Sequence, residues 1–276
     1  MHGKGGTDGN IARPNYDLRS AGALVEVPMM PWSKDRIYDK GYEESVVEID
    51  MYVASLKEAG AKKIFVAGHI MGANATLGYA APREGLSGAI LLPYRHVPGN
   101  FGFAKKLSVR TERARRMIDT GKGEEEASFY DHSGDNGMSV YASANDLFSW
   151  LDPEGGATIP YNAPKAGPDT PILCIDGWSD PRRRCHDIMR QVHKNTKSDM
   201  VIIDADHSGT PVWSNEVIVD WVRALECEKP WCGKHNPSIP ADERQQPTSL
   251  KGYGRTNCTL EELLQSKCDY RPPQRN

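Results

Sequence analysis

The sequence predicts a three-layer α/β domain on a mostly parallel sheet, followed by an extended polar tail. Three observations predict it. Short apolar runs alternate with segments of helical period along most of the 276 residues. The runs at 64–66, 87–94, 171–176 and 200–204 are dominated by consecutive apolar residues instead of alternating, as strands buried on both faces are. At 64–80, IFVAGHIMGANATLGYA, one such run passes through a glycine-flanked turn straight into a helix. The length suits one large domain.

The elements follow in order. Residues 2–6, His2-Gly3-Lys4-Gly5-Gly6, form a glycine-rich loop, and 11–22 read as a helix. The run 23–32, ALVEVPMMPW, reads as a strand ending at Pro28 and Pro31. Val46, Val47, Ile49, Val53 and Leu56 put an apolar side on a helix over 43–59, which Gly60 stops. After the strand at 64–66, Ala73, Leu77, Ala80 and Ala81 recur at helical spacing and let that helix lie close on the sheet. SGAILLPY at 87–94 is the next strand.

Residues 95–170 interrupt the alternation and read as an inserted cap region. Within it, 103–120 is a basic helix carrying Lys105, Lys106, Arg110, Arg113, Arg115 and Arg116, either a solvated face or an anion-binding rim. The segment 131–137 has the look of a calcium loop but lacks its glycine and glutamate, with Asn136 and Ala142 in their places. A short helix at 142–152 carries Leu147, Phe148, Trp150 and Leu151, as a pocket wall or as core. Prolines and glycines make 153–170 a loop. The alternation resumes with a strand at 171–176, a helix at 182–195, a strand at 200–204 and a helix at 214–226. From 227 to 276 the chain is polar and proline-dotted, outside any core.

The turn carries the chemistry. Gly68-His69-Ile70-Met71-Gly72 has the frame of the G-x-S-x-G nucleophile elbow, with Ile70 where the serine belongs. The glycines admit close backbone approach, and the central residue sits in a strained conformation that suits a β-branched side chain poorly. Isoleucine has no oxygen or sulfur and cannot attack a carbonyl. Taken alone, Gly68 and Gly72 would equally suit an ordinary strand–helix junction.

Further along, PILCIDGWSD at 171–180 is an apolar strand ending in Gly177 and Asp180, and MVIIDADHSGT at 200–210 is a second strand followed by His207. With the elbow and the His-Gly loop, these four motifs resemble the α/β-hydrolase fold, in the chain order nucleophile, acid, base. The resemblance covers residues 1–226, with 95–170 as cap and 227–276 as tail. It implies Asp180 as the acid that orients His207, the base, and backbone N–H groups at Gly3, Lys4 and Met71 as the oxyanion hole. Asp176 competes for the acid role, since it too stands at the strand end. Asp180 is preferred because the family presents its carboxylate on a Gly-x-x-Asp turn. Asp180 could also be a plain turn residue, and His207 one surface histidine among eight. His69, inside the elbow, reads as a packing or hydrogen-bonding residue.

In that fold a central strand leads into the His-Gly loop, whereas here the loop follows Met1 directly. The expectation is an N-terminally truncated chain, with sheet backbone left unsatisfied where the strand is missing.

Net charge is −3, from 34 Lys and Arg against 37 Asp and Glu, which argues against nucleic acid or anionic membrane as partner. No apolar run approaches the roughly 20 residues of a membrane span. The polar start lacks a signal peptide, so the chain reads as soluble and cytoplasmic, with export open if a leading segment is missing. No cofactor is expected. No metal is expected either: Cys227, Cys232 and His235 lack a second close pair. The four tail cysteines, with Cys258 and Cys268, allow two disulfides in an exported protein and free thiols in a cytosolic one. Neither Cys174 nor Cys185 has a nucleophile's surroundings, the Gly-Lys-Gly-Gly-Thr run at 3–7 lacks phosphate-loop spacing, and Asn257-Cys-Thr is a formal glycosylation sequon.

The expected function is that of a protein related to serine carboxylesterases, acting on a small ester and inactive or nearly so because Ile70 replaces the nucleophile. The alternatives are a non-catalytic protein that binds a small apolar molecule, with Ile70 as pocket wall, and a truncated or decayed gene product. Oligomeric state is not readable.

Overall fold

The computed structural model describes residues 1–93, 96–133, 136–181 and 183–226. The tail, with its four cysteines, His235 and the sequon, lies outside the described residues.

Four strands form one parallel sheet: β1 (Phe65–Gly68), β2 (Gly88–Leu91), β5 (Ile172–Gly177) and β6 (Asp199–Ile203), neighbours in that order. Strand period sorts their side chains into two cores. Val66, Ala89, Leu91, Ile172 and Cys174 face one side, with α2 (Tyr42–Glu58) and α3 (Met71–Ala80). Ile90, Leu173, Ile175, Val201 and Ile203 face the other, against Val217, Ile218 and Trp221 of α9 (Asn215–Glu226) and Leu18 of α1 (Ala12–Ser20). Burial on both faces is why these runs are apolar without alternation. The result is a three-layer α/β sandwich.

The segment 23–32 forms no strand. Pro28 and Pro31 lack N–H donors, and its carbonyls are taken elsewhere: Met29 O by Arg36 Nη1, Met30 O by Ser33 N, Pro31 O by Tyr38 N and Trp32 O by Gly5 N. The outer edge of β1 instead meets Met1, whose amine donates to Ala67 O at 2.6 Å and whose carbonyl accepts from His69 N at 3.0 Å.

Between β2 and β5 the chain leaves the sheet. It runs through α4 (Phe101–Asp119), an antiparallel hairpin of β3 (Glu126–Ser133) and β4 (Asn136–Ser143), α5 (Ala144–Leu151) and α6 (Ile159–Asn162). The sequence reading missed the hairpin and took 153–170 for a loop. Pro160 and Pro164 are the second residues of α6 and of a 3-10 turn, within the first turn where an N–H has no helical partner to lose. Three of the arginines on α4 are not simply solvated: Arg110 is buried, while Arg113 and Arg115 lie over the rings of Phe129 and Phe148. Trp150 is wholly buried, ringed by Trp32, Tyr38 and Tyr42 with centroids 5.1–5.8 Å away. The helix expected at 182–195 shrinks to α7 (Cys185–Met189), whose start is fixed by Asp176 Oδ2 accepting from the N–H groups of Arg184 and Cys185. Among the described residues no helix is long and apolar enough to cross a membrane.

Candidate active site

β1 ends in the elbow. Ile70 has φ 57° and ψ −111°, a backbone state that side chains rarely adopt, and its N–H donates to Pro93 O at 3.0 Å. Two glycines make the turn possible. A Cβ on Gly68 would stand 2.0 Å from Gly72 O, and one on Gly72 would stand 2.6 Å from Met1 O. These contacts exclude any side chain at either position, so the pair is more than a generic junction.

The His-Gly loop lies across the elbow. Trp32 Nε1 donates to His2 O at 2.8 Å, Gly5 N to Trp32 O at 2.8 Å and Gly6 N to Gly3 O at 3.0 Å, which pins the loop on both flanks. A Cβ on Gly3 would meet Ile70 Cβ and Cδ1 at 3.0 Å each, so the isoleucine side chain packs against this loop. Beyond Gly3, Lys4 Nζ reaches 2.9 Å to Asp131 Oδ2 on β3. Asp131 is wholly buried and also takes Arg110 Nη2 at 2.6 Å, Tyr38 Oη at 3.2 Å and His132 N at 2.6 Å. Lys4 and Arg110 hold its carboxyl below the usual range despite its burial, while burial pulls the Lys4 amine down.

The acid and base come from the ends of β5 and β6. Gly177 allows the two loops to meet, since a Cβ there would lie 2.4 Å from Ala205 O. Trp178 N then donates to Ile203 O at 2.7 Å and Ser179 N to Ala205 O at 3.0 Å. This places Asp180 Oδ2 2.6 Å from His207 Nδ1, with both residues buried. His69 Nε2 lies 3.2 Å from His207 O, and the two rings are 5.3 Å apart, which sets the elbow beside the pair.

Asp176 is elsewhere. Its Oδ2 accepts from Arg184 N at 2.9 Å and Cys185 N at 2.8 Å, capping α7, and burial pushes its pKa up to about 6. Of the two candidate acids, only Asp180 is hydrogen-bonded to His207 by its carboxylate. Sequence reasoning missed two features here. Asp131 had been weighed only as a calcium ligand, and nothing local signals partners as distant as Lys4. Cys174 and Cys185 form a disulfide across the acid turn, and among the described residues no cysteine is free.

Among the described residues no group of three or more His, Cys, Asp or Glu side chains is placed to hold a metal. A surface cleft of about 620 Å³, lined by Asp50, Lys57, Tyr79, Arg83 and Leu86, opens at the start of β1 and β2, the opposite end of the sheet from the elbow.

No family model and no curated protein sequence matches the chain. Solved structures do. A thermostable carboxyl esterase from Bacillus coagulans superposes at TM-score 0.60 with 19% identity, over 82% of this chain and 89% of that one. A monoacylglycerol lipase from Paleococcus ferrophilus gives 0.57 and 19%, over 82% and 93%. A monoglyceride lipase from Saccharomyces cerevisiae gives 0.57 and 15%, over 82% and 85%. The chain has the α/β-hydrolase fold.

Proposed function

We propose that this α/β-hydrolase-fold chain is an ester-hydrolase scaffold in which Ile70 occupies the nucleophile's place, leaving it inactive or nearly so toward small esters. One observation carries the reading: a backbone held at φ 57° and ψ −111° stands beside a buried Asp180–His207 pair 2.6 Å apart. Strain of this kind costs roughly 1–3 kcal/mol and persists where a site uses it.

The residue roles follow from ordinary acyl-transfer chemistry. A hydroxyl introduced by Ile70→Ser would attack the ester carbonyl while His207 takes its proton. Asp180 holds the imidazole tautomer and stabilises the imidazolium. The N–H groups of Gly3, Lys4 and Met71 would receive the oxyanion, each worth about 3 kcal/mol. His207 returns the proton to the departing alcohol, and water then releases the acid by the same steps. The excursion between β2 and β5 would serve as the cap over the ester's acyl group. Without the hydroxyl, none of this begins. Only the roughly 10³–10⁴-fold over water that binding and the oxyanion hole supply would remain.

The test is hydrolysis of short and medium chromogenic esters by this chain and by Ile70→Ser, with circular dichroism to establish that both fold. Turnover by the variant, abolished by adding His207→Ala, is the expected result. No turnover by a folded Ile70→Ser protein would overturn the reading.

The contact of Ile70 with Gly3 favours a second reading. The side chain fills space at the oxyanion loop, as the wall of a pocket for a small apolar ligand would. Saturable binding of an apolar probe that Ile70→Ser weakens would support it.

A further inference from the structure

The acid turn is closed by a covalent bond that the hydrolase reading does not use. Cys174 lies on β5 and Cys185 opens α7, 11 residues apart, with Cα atoms 5.5 Å from each other. Between them run Asp176, Gly177 and Asp180. On the β6 side the turn is fastened through Trp178 N and Ser179 N. On the other side, Pro181 and Arg183 are exposed. Arg183 lies over the Trp178 ring, 4.6 Å from its centroid, and the capping of α7 by Asp176 and the disulfide beneath it tie the stretch back to the sheet. Both cysteines are fully buried, which keeps soluble thiols away from the bond.

We propose that the Cys174–Cys185 disulfide is a positioning clamp: it closes the acid turn and thereby holds the Asp180 carboxylate on His207 Nδ1. The inference rests on the functional reading only in taking the Asp180–His207 pair as the site. A merely structural crosslink would stabilise the whole domain and leave the pair intact once the chain has folded. A clamp changes the pair in a folded protein.

The experiment reads the pair directly, in the full chain and without catalysis. The imidazole Nδ1–H resonance of His207 is followed by NMR in the oxidised protein and in Cys174→Ala/Cys185→Ala. The indole Nε1–H signals of Trp32 and Trp150, bonded to His2 O and Lys40 O, report the fold outside the acid turn. The expected result is that solvent exchange of the His207 proton accelerates at least tenfold while both indole signals stay unchanged. An unchanged His207 signal in a folded double variant would overturn the proposal.

Should the double variant fail to fold, Asp176→Asn decides. It keeps the disulfide and removes the charge from the α7 cap, and the His207 signal must persist. Its loss there would mean that the carboxylate, not the disulfide, holds the turn. Ester turnover in the Ile70→Ser background separates the two readings. If Ile70→Ser turns over, removing the cysteines should lower kcat at least tenfold with KM unchanged. If Ile70→Ser is inactive while the NMR result holds, the hydrolase reading fails and the clamp stands.

Discussion

The ion cluster around Asp131 makes the most demanding stability prediction. Asp131→Asn keeps the shape and removes the charge. Asp131 is fully buried, and Lys4 and Arg110 are close to it, with side-chain exposures of 13% and 4%. Deleting one partner of a buried pair leaves an uncompensated charge and costs about 3–5 kcal/mol. Here two cations are left facing each other, so the upper half of that range is expected. In a domain of this size each kcal/mol lowers Tm by about 2–4 °C, so Tm should fall by roughly 8–20 °C. The sign of the pH dependence adds a check. The Lys4 amine is already depressed by burial and is partly restored by Asp131. Without Asp131 it drops further and can shed its proton inside the fold. A depressed lysine destabilises most where the unfolded chain is protonated and the native amine is not, so stability is lost as pH falls below the ordinary value near 10.4. The deficit should therefore shrink from pH 7 to pH 10. Adding Lys4→Met should restore part of the loss at pH 7. Urea unfolding followed by circular dichroism gives both numbers. A deficit under about 1 kcal/mol, or one that grows with pH, would refute the burial and pairing argument.

Four further outcomes are expected. The Asp176 carboxyl is raised to about 6, so the native state holds its proton more tightly; stability contributed there falls by about 3 kcal/mol as pH rises from 4 to 6, and Asp176→Asn should abolish this slope in urea titrations. His96, buried with Nε2 2.6 Å from Trp150 O, is lowered to about 4, so its contribution runs the other way, rising by about 3 kcal/mol from pH 4 to 6.5, and His96→Asn should flatten that limb. Gly68→Ala should give no folded protein, its Cβ meeting Gly72 O at 2.0 Å, whereas Gly22→Ala, strained but with nothing within 4 Å, should cost about 1 kcal/mol; equal losses would sink the steric account of the elbow. Ile70→Gly should leave stability within about 1 kcal/mol of the parent, because relief of a β-branched residue at φ 57° offsets the lost packing on Gly3, and a loss above 3 kcal/mol would mean the isoleucine is not strained.

The parallel sheet was legible because each strand is apolar on both faces, a property written locally. The elbow was legible for a similar reason: glycines at 68 and 72 flank a run that changes from strand to helix period. The pairing of Asp180 with His207 could be anticipated only as an order of motifs, since it depends on Gly177 letting two loops touch. The run 23–32 is as strand-like in composition as any other, yet a strand needs a neighbour, and the backbone partners here are turns and side chains. The β3–β4 hairpin was masked by a buried charge. Its inward face alternates through Phe129, Asp131, Val140 and Ala142, and a charged residue at that position breaks the apolar pattern. Asp131 is tolerated inside because Arg110 and, from 127 residues away, Lys4 come to meet it. The Cys174–Cys185 bond was equally silent, as spacing alone cannot distinguish a pair from two thiols.

Among the described residues, backbone conformation conflicts with residue type most sharply at Ile70, a β-branched residue at φ 57°. Gly68 and Gly72 give up side-chain burial to allow a sharp turn. Asp180 and His207 are withdrawn from water to face one another. The turn holds φ 57° at its centre, where a β-branched residue gains nothing from the backbone. Each of these is a cost that a nucleophile would justify, and a hydrophobic wall would not require the last two. Under the proposed reading, the strained turn and the buried Asp180–His207 pair are what acyl transfer needs, and Ile70 is the position that departs from it. One base change in an AGC or AGT codon suffices to put isoleucine there. In the proposed reading, the surroundings keep the geometry that the missing hydroxyl would use.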